Sequence, residues 1–462
     1  MKFPTTNYFL AAARLAKRAG VALACIAMLS LSACDDDDDT PTDSTMDQLN
    51  NELLSLLKAA SPTSSIDYFM MPSATDFASI PQDPKNPLTT AKVALGQMLY
   101  HETAILTNPK KPEGLGTSSC ASCHHAESGF QAGLPQGIGE GGWGAFGDRM
   151  PNPDYQTLEL DIQPIRSPTA MNAAWQEVML WNGQFGATGL NEGTQGSWTE
   201  GTPKFANHLG YTGLETQAIA GLAVHRLDLD YSVLENNAIY TQMFEAAFPG
   251  AAIDVEHVGL AIAAYERTLL SNQAPFQKWL AGDRNALSEQ ELRGAIAFFG
   301  SSKGNCVSCH TGPALSSMTF YALGMNDLAG EGVYGNAPDL TVKYGRGGFT
   351  GNPADNYKFK TPSLYNLIDS RFYGHGASMH SVREVIEYKN AAVAENIEVP
   401  ESQLAAQFTQ LNLSNSEMDD MTAFISNGLY DNDLLRYVPT SLPSGDCFPF
   451  SDAQAKMDMG CN

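Results

Sequence analysis

Two five-residue stretches, Cys120-Ala121-Ser122-Cys123-His124 and Cys306-Val307-Ser308-Cys309-His310, repeat one pattern of two thiols followed by an imidazole. Thiols spaced this way on one helical turn reach the two vinyl groups of a haem, and the next histidine offers a nitrogen to the iron from the proximal face. With 8 Cys and 9 His in 462 residues, chance would supply roughly 0.003 such pentads. A thioredoxin-like redox pair or a zinc site would not need the histidine twice. The pattern therefore predicts two covalent c-type haems, on Cys120 and Cys123 with His124, and on Cys306 and Cys309 with His310.

The motifs lie 186 residues apart. A duplicated haem unit can let one iron react while the other stores or delivers an electron, which favours redox catalysis over simple carriage. Cys447 and Cys461 bracket a short tail and are expected to form a disulfide in an oxidising compartment, closing a loop of ~15 residues worth up to ~3 kcal/mol.

The elements that must position these groups are helices. Met46, Leu49, Leu53, Leu56 and Leu57 fall at helical spacing, as do Val255, Val258, Ile262, Tyr265 and Leu269. Ser288 with Glu291 and Ser414 with Glu417 read as capping boxes, closed by Gly300 and Gly428. Gly- and Pro-rich stretches between them show little strand alternation. The expected fold is mostly α, with two cytochrome c-like haem domains and extensive loops.

Residues 1–33 carry Lys2, Arg14, Lys17 and Arg18 and no acidic residue, then an apolar run from Val21 to Leu31 and small residues before Cys34. This pattern predicts a lipoprotein signal peptide with Cys34 lipidated, hence an exported protein on the periplasmic side or cell surface, touching membrane only through its lipid. Asp35 to Asp39 begin a solvated tether. The expected divisions are 1–33 signal, 34–75 acidic tether and amphipathic helix, 76–285 N-terminal haem domain, 286–440 C-terminal haem domain, and 441–462 the Cys-bracketed tail. The formal charge of −24, from 27 Lys+Arg against 51 Asp+Glu, argues against nucleic-acid binding, which needs clustered cations.

From about Pro84 to Tyr437 the chain resembles bacterial di-haem cytochrome c peroxidases and the related MauG-like enzymes. The matching stretches run Leu95 to Tyr100, Cys120 to Phe130, Arg166 to Asn172, Trp181 to Gln184, Leu214 to Ala218, Tyr265 to Leu269, Cys306 to Pro313 and Phe359 to Asn366. The resemblance implies that the N-terminal haem meets hydrogen peroxide, that the C-terminal haem relays electrons, and that Trp181 lies between them. It also brings a small donor protein, a cytochrome c or a cupredoxin, and allows a homodimer.

Departures from the pattern are informative. Between His124 and Trp181 the only histidine is His125, adjacent to the proximal ligand, so the first iron is expected to keep an open position. Gln217 matches the family's glutamine in the peroxide pocket. The family's glutamate falls on Leu227, leaving Asp228 or His225 for acid-base work. The second haem's distal ligand stands fourteen residues beyond a histidine that matches His375, which gives Lys389, with Met379 and Tyr388 as runners-up and Met318 and Met325 nearby. The family's inter-haem Ca2+ has an asparagine ligand where this chain has Arg166, and its presence is left open. Three functions remain: a peroxidase supplied by a small redox protein, a MauG-like oxidase modifying Trp or Tyr on a partner protein, and a non-catalytic electron-transfer module.

Overall fold

The computed structural model describes residues 45–228, 230–335 and 341–461. The leader, Cys34 and the aspartate run lie outside the described residues. Helices occupy Thr45–Ala60, Thr90–His101, Gly213–Val224, Ala238–Ala247, Val255–Glu266, Glu289–Phe299, Val382–Ala391 and Asn415–Ala423, joined by long irregular segments with many single 3-10 turns. Strand pairing is slight among the described residues. Gly142–Trp143 pairs antiparallel with Met150–Pro151, and Phe320–Tyr321 with Phe359–Lys360.

Both capping boxes form: Ser288 and Ser414 accept from the backbone of Glu291 and Glu417, whose carboxylates return to the cap N–H groups. Each satisfies two orphan donors at a helix start. After Ala423 the last turn widens into a π-helix over Phe424–Gly428.

Two cores fill the molecule. One gathers Leu95, Leu99, Tyr100, Phe130, Leu214, Val258, Ile262 and Tyr265. The other gathers Phe276, Trp279, Leu292, Phe298, Leu413, Met421 and Phe424. Neither is a closed segment of sequence, because Leu53 and Leu57 of the first helix join the second core while Leu434 and Tyr437 return to the first. The first helix is held there by Trp279, whose indole N–H donates to buried Asn50 at 2.6 Å.

Each core has a close helix crossing made by a glycine. A Cβ on Gly96 would lie 1.9 Å from the Ala261 carbonyl oxygen, and one on Gly294 would lie 2.0 Å from that of Asp420. Only glycine lets backbones approach so closely. These crossings fix the helix that precedes each CxxCH motif against a helix far along the chain, and so position the motif.

Beyond Tyr437 the chain folds back on the first motif. Cys447 and Cys461 are joined, with Cα atoms 6.0 Å apart. The tail donates Ser451 N–H to Thr117 O at 2.9 Å and accepts Ser122 Oγ–H at Pro449 O at 2.6 Å. Asp452 closes a buried ion pair with Arg149 at 2.6 Å.

Candidate functional site

Cys120–Ser122 and Cys306–Ser308 each form a single 3-10 turn. Backbone N–H groups of His124 and His310 donate back to Cys120 O and Cys306 O, at 3.1 and 2.8 Å, which brings both thiols and the imidazole to one side. His124 Nδ1 lies 3.3 Å from Phe130 O. His310 Nδ1 lies 3.1 Å from both Leu315 O and Pro362 O. An Nδ1–H held by carbonyls leaves Nε2 as the free lone pair, the arrangement that metal-bound histidines need.

Burial pushes both imidazoles down to about 4, so each is neutral at ordinary pH. Burial likewise raises the Cys123 and Cys306 thiols to about 12. Protein surrounds His124, Cys120 and Cys123, yet all three remain partly accessible, which means they face interior space. At the second motif that space is a cavity of about 290 Å³ containing Cys306, Cys309, His310, Trp181, His375 and Lys389 on its walls. The residues present fit covalent haem at both motifs: two thiols to form thioethers and one oriented neutral imidazole for the iron.

The first pocket holds acid-base groups. His225, at the C-terminal end of Gly213–Val224, donates or accepts through Nδ1 at 2.9 Å from Asp161 Oδ2. Its charge opposes protonation of His124, which places the two rings near one another. A third of its side chain is accessible. Burial works against its charge, and the Asp161 carboxylate outweighs this and raises its pKa. Buried Arg226–Glu140 pairing pins the next residue, at positive φ, and so fixes the turn that aims the ring.

Glu266 also belongs to this wall. Its Oε2 has no partner among the described residues, and burial first, then Glu215, lifts its pKa to about 8. The Tyr231 hydroxyl is buried and unpartnered in the same neighbourhood, close enough to Cys120 to feel its charge. Leu227 is buried in the first core, whereas Asp228 is half-buried beside Tyr231 and Gln217 lies along the Gly213–Val224 helix.

At the second pocket Lys389 faces the motif from the Val382–Ala391 helix. Burial brings its ammonium down to about 8, and its charge opposes protonation of His310 across the cavity. Its Nζ stands 5.6 Å from the Phe408 ring centroid. Tyr388 turns away and donates its hydroxyl to Leu323 O. Met379 is buried off the cavity wall, and Met325 is on it.

Trp181 lies on the wall of the second cavity. Trp181 donates its indole N–H to Arg166 O at 2.9 Å, and its own carbonyl accepts from Lys360 N–H at 2.8 Å. His375 stands edge-on to Trp181 at 6.4 Å and stacks on Phe359 at 3.6 Å. Arg166, at the position where the family places a calcium ligand, is buried with Nη2 donating to Gln131 and Ser370.

The sequence singled out the four thiols, His124, His310, Trp181, His225 and Lys389, and gave no role to Asp161 or Glu266. Glu266 lies inside the Tyr265 to Leu269 stretch, which carries no chemical pattern of its own. Asp161 is 64 residues from His225, and no local pattern links them.

A family model described as di-haem cytochrome c peroxidase matches residues 90–285. The methylamine utilization protein MauG of Methylophilus methylotrophus is 27% identical over 361 residues, 76% of this chain and 85% of that protein. Cytochrome c551 peroxidase of Nitrosomonas europaea is 25% identical over 293 residues, 63% of this chain and 71% of that one. The crystal structure of a MauG-like protein associated with microbial copper homeostasis aligns with a TM-score of 0.53 at 23% identity, covering 83% of this chain and 98% of that chain, a likeness of fold. Residues 90–285 thus match the di-haem cytochrome c peroxidase model, and the relatives of the chain include both MauG proteins and cytochrome c peroxidases.

Proposed function

We propose that the protein is an exported, lipid-anchored di-haem peroxidase that reduces hydrogen peroxide to water with two electrons from a small redox protein. The observation that carries this reading is the His225–Asp161 pair, 2.9 Å apart, with a third of the His225 side chain accessible. Haem bound at the two motifs supplies the iron that meets peroxide and the means of holding electrons.

The residues then divide the work. His124, oriented by Phe130 O, holds the proximal position. Neutral His225 takes the proton from the near oxygen of peroxide and returns it to the far oxygen as the O–O bond breaks, replacing the glutamate that this chain lacks. Asp161 fixes the ring and steadies the imidazolium formed in between. Gln217 and Asp228 lie on the segments flanking this pair. Trp181 would pass electrons from the C-terminal pocket, where His310 and Lys389 would hold the second haem, Lys389 as a neutral amine.

The test is stopped-flow mixing of the ferric holoprotein with H2O2 in the presence of a reduced monohaem cytochrome or cupredoxin. Two donors should be oxidised per peroxide. Donor left unconsumed while a partner protein gains a modified Trp or Tyr would establish the oxidase instead, and inertness to peroxide would leave an electron carrier.

A further inference from the structure

Two buried cations stand on either side of Trp181 without a carboxylate to balance them. Arg166 and Lys360 occupy equivalent places in the two halves, each two residues before the proline whose carbonyl turns toward a proximal histidine. They are 4% and 6% exposed. Lys360 Nζ donates to Val178 O at 2.6 Å and to the Gln176 side chain, both neutral acceptors. Arg166 donates through Nη2 to Gln131 and Ser370, and its buried Nε has no partner. Among the described residues neither cation forms an ion pair, although both line the cavity that contains Cys306, Cys309 and His310.

Burying a charge without a counter-charge costs several kcal/mol, and an arginine cannot escape by losing its proton. Burial alone already brings the Lys360 ammonium down to about 7. Such a pair is completed by an anion, and the unpartnered guanidinium N–H of a cavity-lining arginine suits a planar acceptor such as a carboxylate. A haem tethered through its vinyl groups to these thiols brings two carboxylates into the same space.

We infer that Arg166 and Lys360 form a carboxylate-binding pair on the wall of the second cavity, filled by acid groups of the bound haems. The inference rests on the di-haem reading but not on peroxide turnover. It makes Trp181, fixed to the backbone of both cations, part of the same assembly. It also gives Arg166 a task that would otherwise fall to a bound metal cation: supplying fixed positive charge between the halves.

The test uses holoprotein carrying haem labelled with 13C in its carboxylates. Redox-induced infrared difference spectra and midpoint potentials are compared for wild type, K360Q, R166Q, K360R and R166K. All four substitutions should move the labelled carboxylate bands, and the glutamine variants should also lower a midpoint potential, because a cation that favours the reduced haem is gone. Should a glutamine variant fail to assemble, the charge-conserving variants decide through the bands alone. Bands unmoved in assembled K360R and R166K would overturn the inference. Added acetate is the second arm: if it shifts wild-type midpoints and the shift vanishes in K360Q, the site takes free carboxylates and the haem assignment fails. A protein that passes the infrared test yet does not turn over peroxide would sink the proposed function and leave this pair standing.

Discussion

The N-terminal and C-terminal halves hold their CxxCH motifs in one frame and open them onto different chemistry. In both, a glycine crossing fixes the preceding helix, and a residue at positive φ, Phe130 or Leu315, turns its carbonyl onto the proximal histidine. An asparagine at positive φ then ties the Pro-containing strand back, with Asn172 N–H on Leu269 O at 2.7 Å and Asn366 N–H on Leu429 O at 3.2 Å. Facing these equal frames are His225, Asp161 and Glu266 in one pocket, and Lys389 in the other. The first set can move protons, whereas the buried amine of Lys389 can occupy a coordination position. The two halves thus share the frame around their CxxCH motifs and differ in what stands opposite it.

Removing attachment chemistry should break the comparison most strongly. In C120S/C123S one haem of two is lost, and reaction with peroxide is abolished. In C306S/C309S the other is lost, the first encounter with peroxide survives, and donor oxidation stops. Intact-mass analysis with stopped-flow spectroscopy checks both. Loss of both haems from either variant would mean that the halves do not assemble independently.

The shared frame is tested next at its crossings. With a Cβ placed 1.9 or 2.0 Å from a backbone oxygen, G96A and G294A should each destabilise the protein by about 3 kcal/mol, the upper part of the overpacking range, since backbone cannot step aside. Gly147 has nothing within 4 Å of its Cβ position, so G147A serves as the control. Denaturant midpoints read the effect. A silent G294A would show that the second half does not use the crossing of the first.

Much of this frame was legible in the sequence because it is local. The pentads, the capping boxes at Ser288 and Ser414, and the apolar stripe of Val255–Glu266 are patterns within a few turns of chain, and the structure contains each helix. The candidate sites were legible in part. Lys389 and His225 could be named by position in a motif, but what makes each useful is tertiary. Asp161 reaches His225 from a loop, and Tyr388 is turned off the cavity by a hydroxyl bonded to Leu323. The exchange of helices between the cores, with Leu53 and Tyr437 each packing in the half distant in sequence, leaves no periodic trace. Cores that close through long loops are specified by volume and shape at contact, which a single sequence does not display.

The differing sides come next. H225A should slow the peroxide step by about 10²-fold, the usual worth of a positioned base, and leave the spectrum of the C-terminal haem unchanged. A base must be neutral to act, and the Asp161 carboxylate raises the pKa of His225. D161N should therefore move the acid limb of the pH–rate profile to lower pH while lowering the plateau. An unshifted limb would detach Asp161 from the mechanism. In the other half, K389A should convert a low-spin ferric signal to high-spin with the peroxide step intact, and unchanged electron paramagnetic resonance would remove Lys389 as a ligand.

The smallest asymmetry lies in how equivalent helices begin. Val255–Glu266 starts at Asp254, which accepts from His257 N–H at 2.9 Å, whereas Asn415–Ala423 starts at Ser414 with Glu417 completing the box. Lys303 donates to Glu417, and with the Ser414 backbone N–H it holds that carboxyl at about 2, against 4.5 for a free one. A carboxyl depressed by folding stabilises above its unfolded pKa and stops doing so as pH falls through the folded one. The contribution of Glu417 should therefore be complete above about pH 5 and fade from there toward pH 2. Its side chain is 29% accessible, so solvent screening keeps the effect below ~1 kcal/mol. E417Q should remove that part of the acid dependence, and thermal melts at pH 7 and pH 3 measure it. Because Lys303 lies just before the second CxxCH motif, the same melts followed at the C-terminal haem should show the change more strongly than melts followed at the other. Equal response at both haems would mean that the halves unfold as one unit, and the independence expected from the thiol variants would have to be given up.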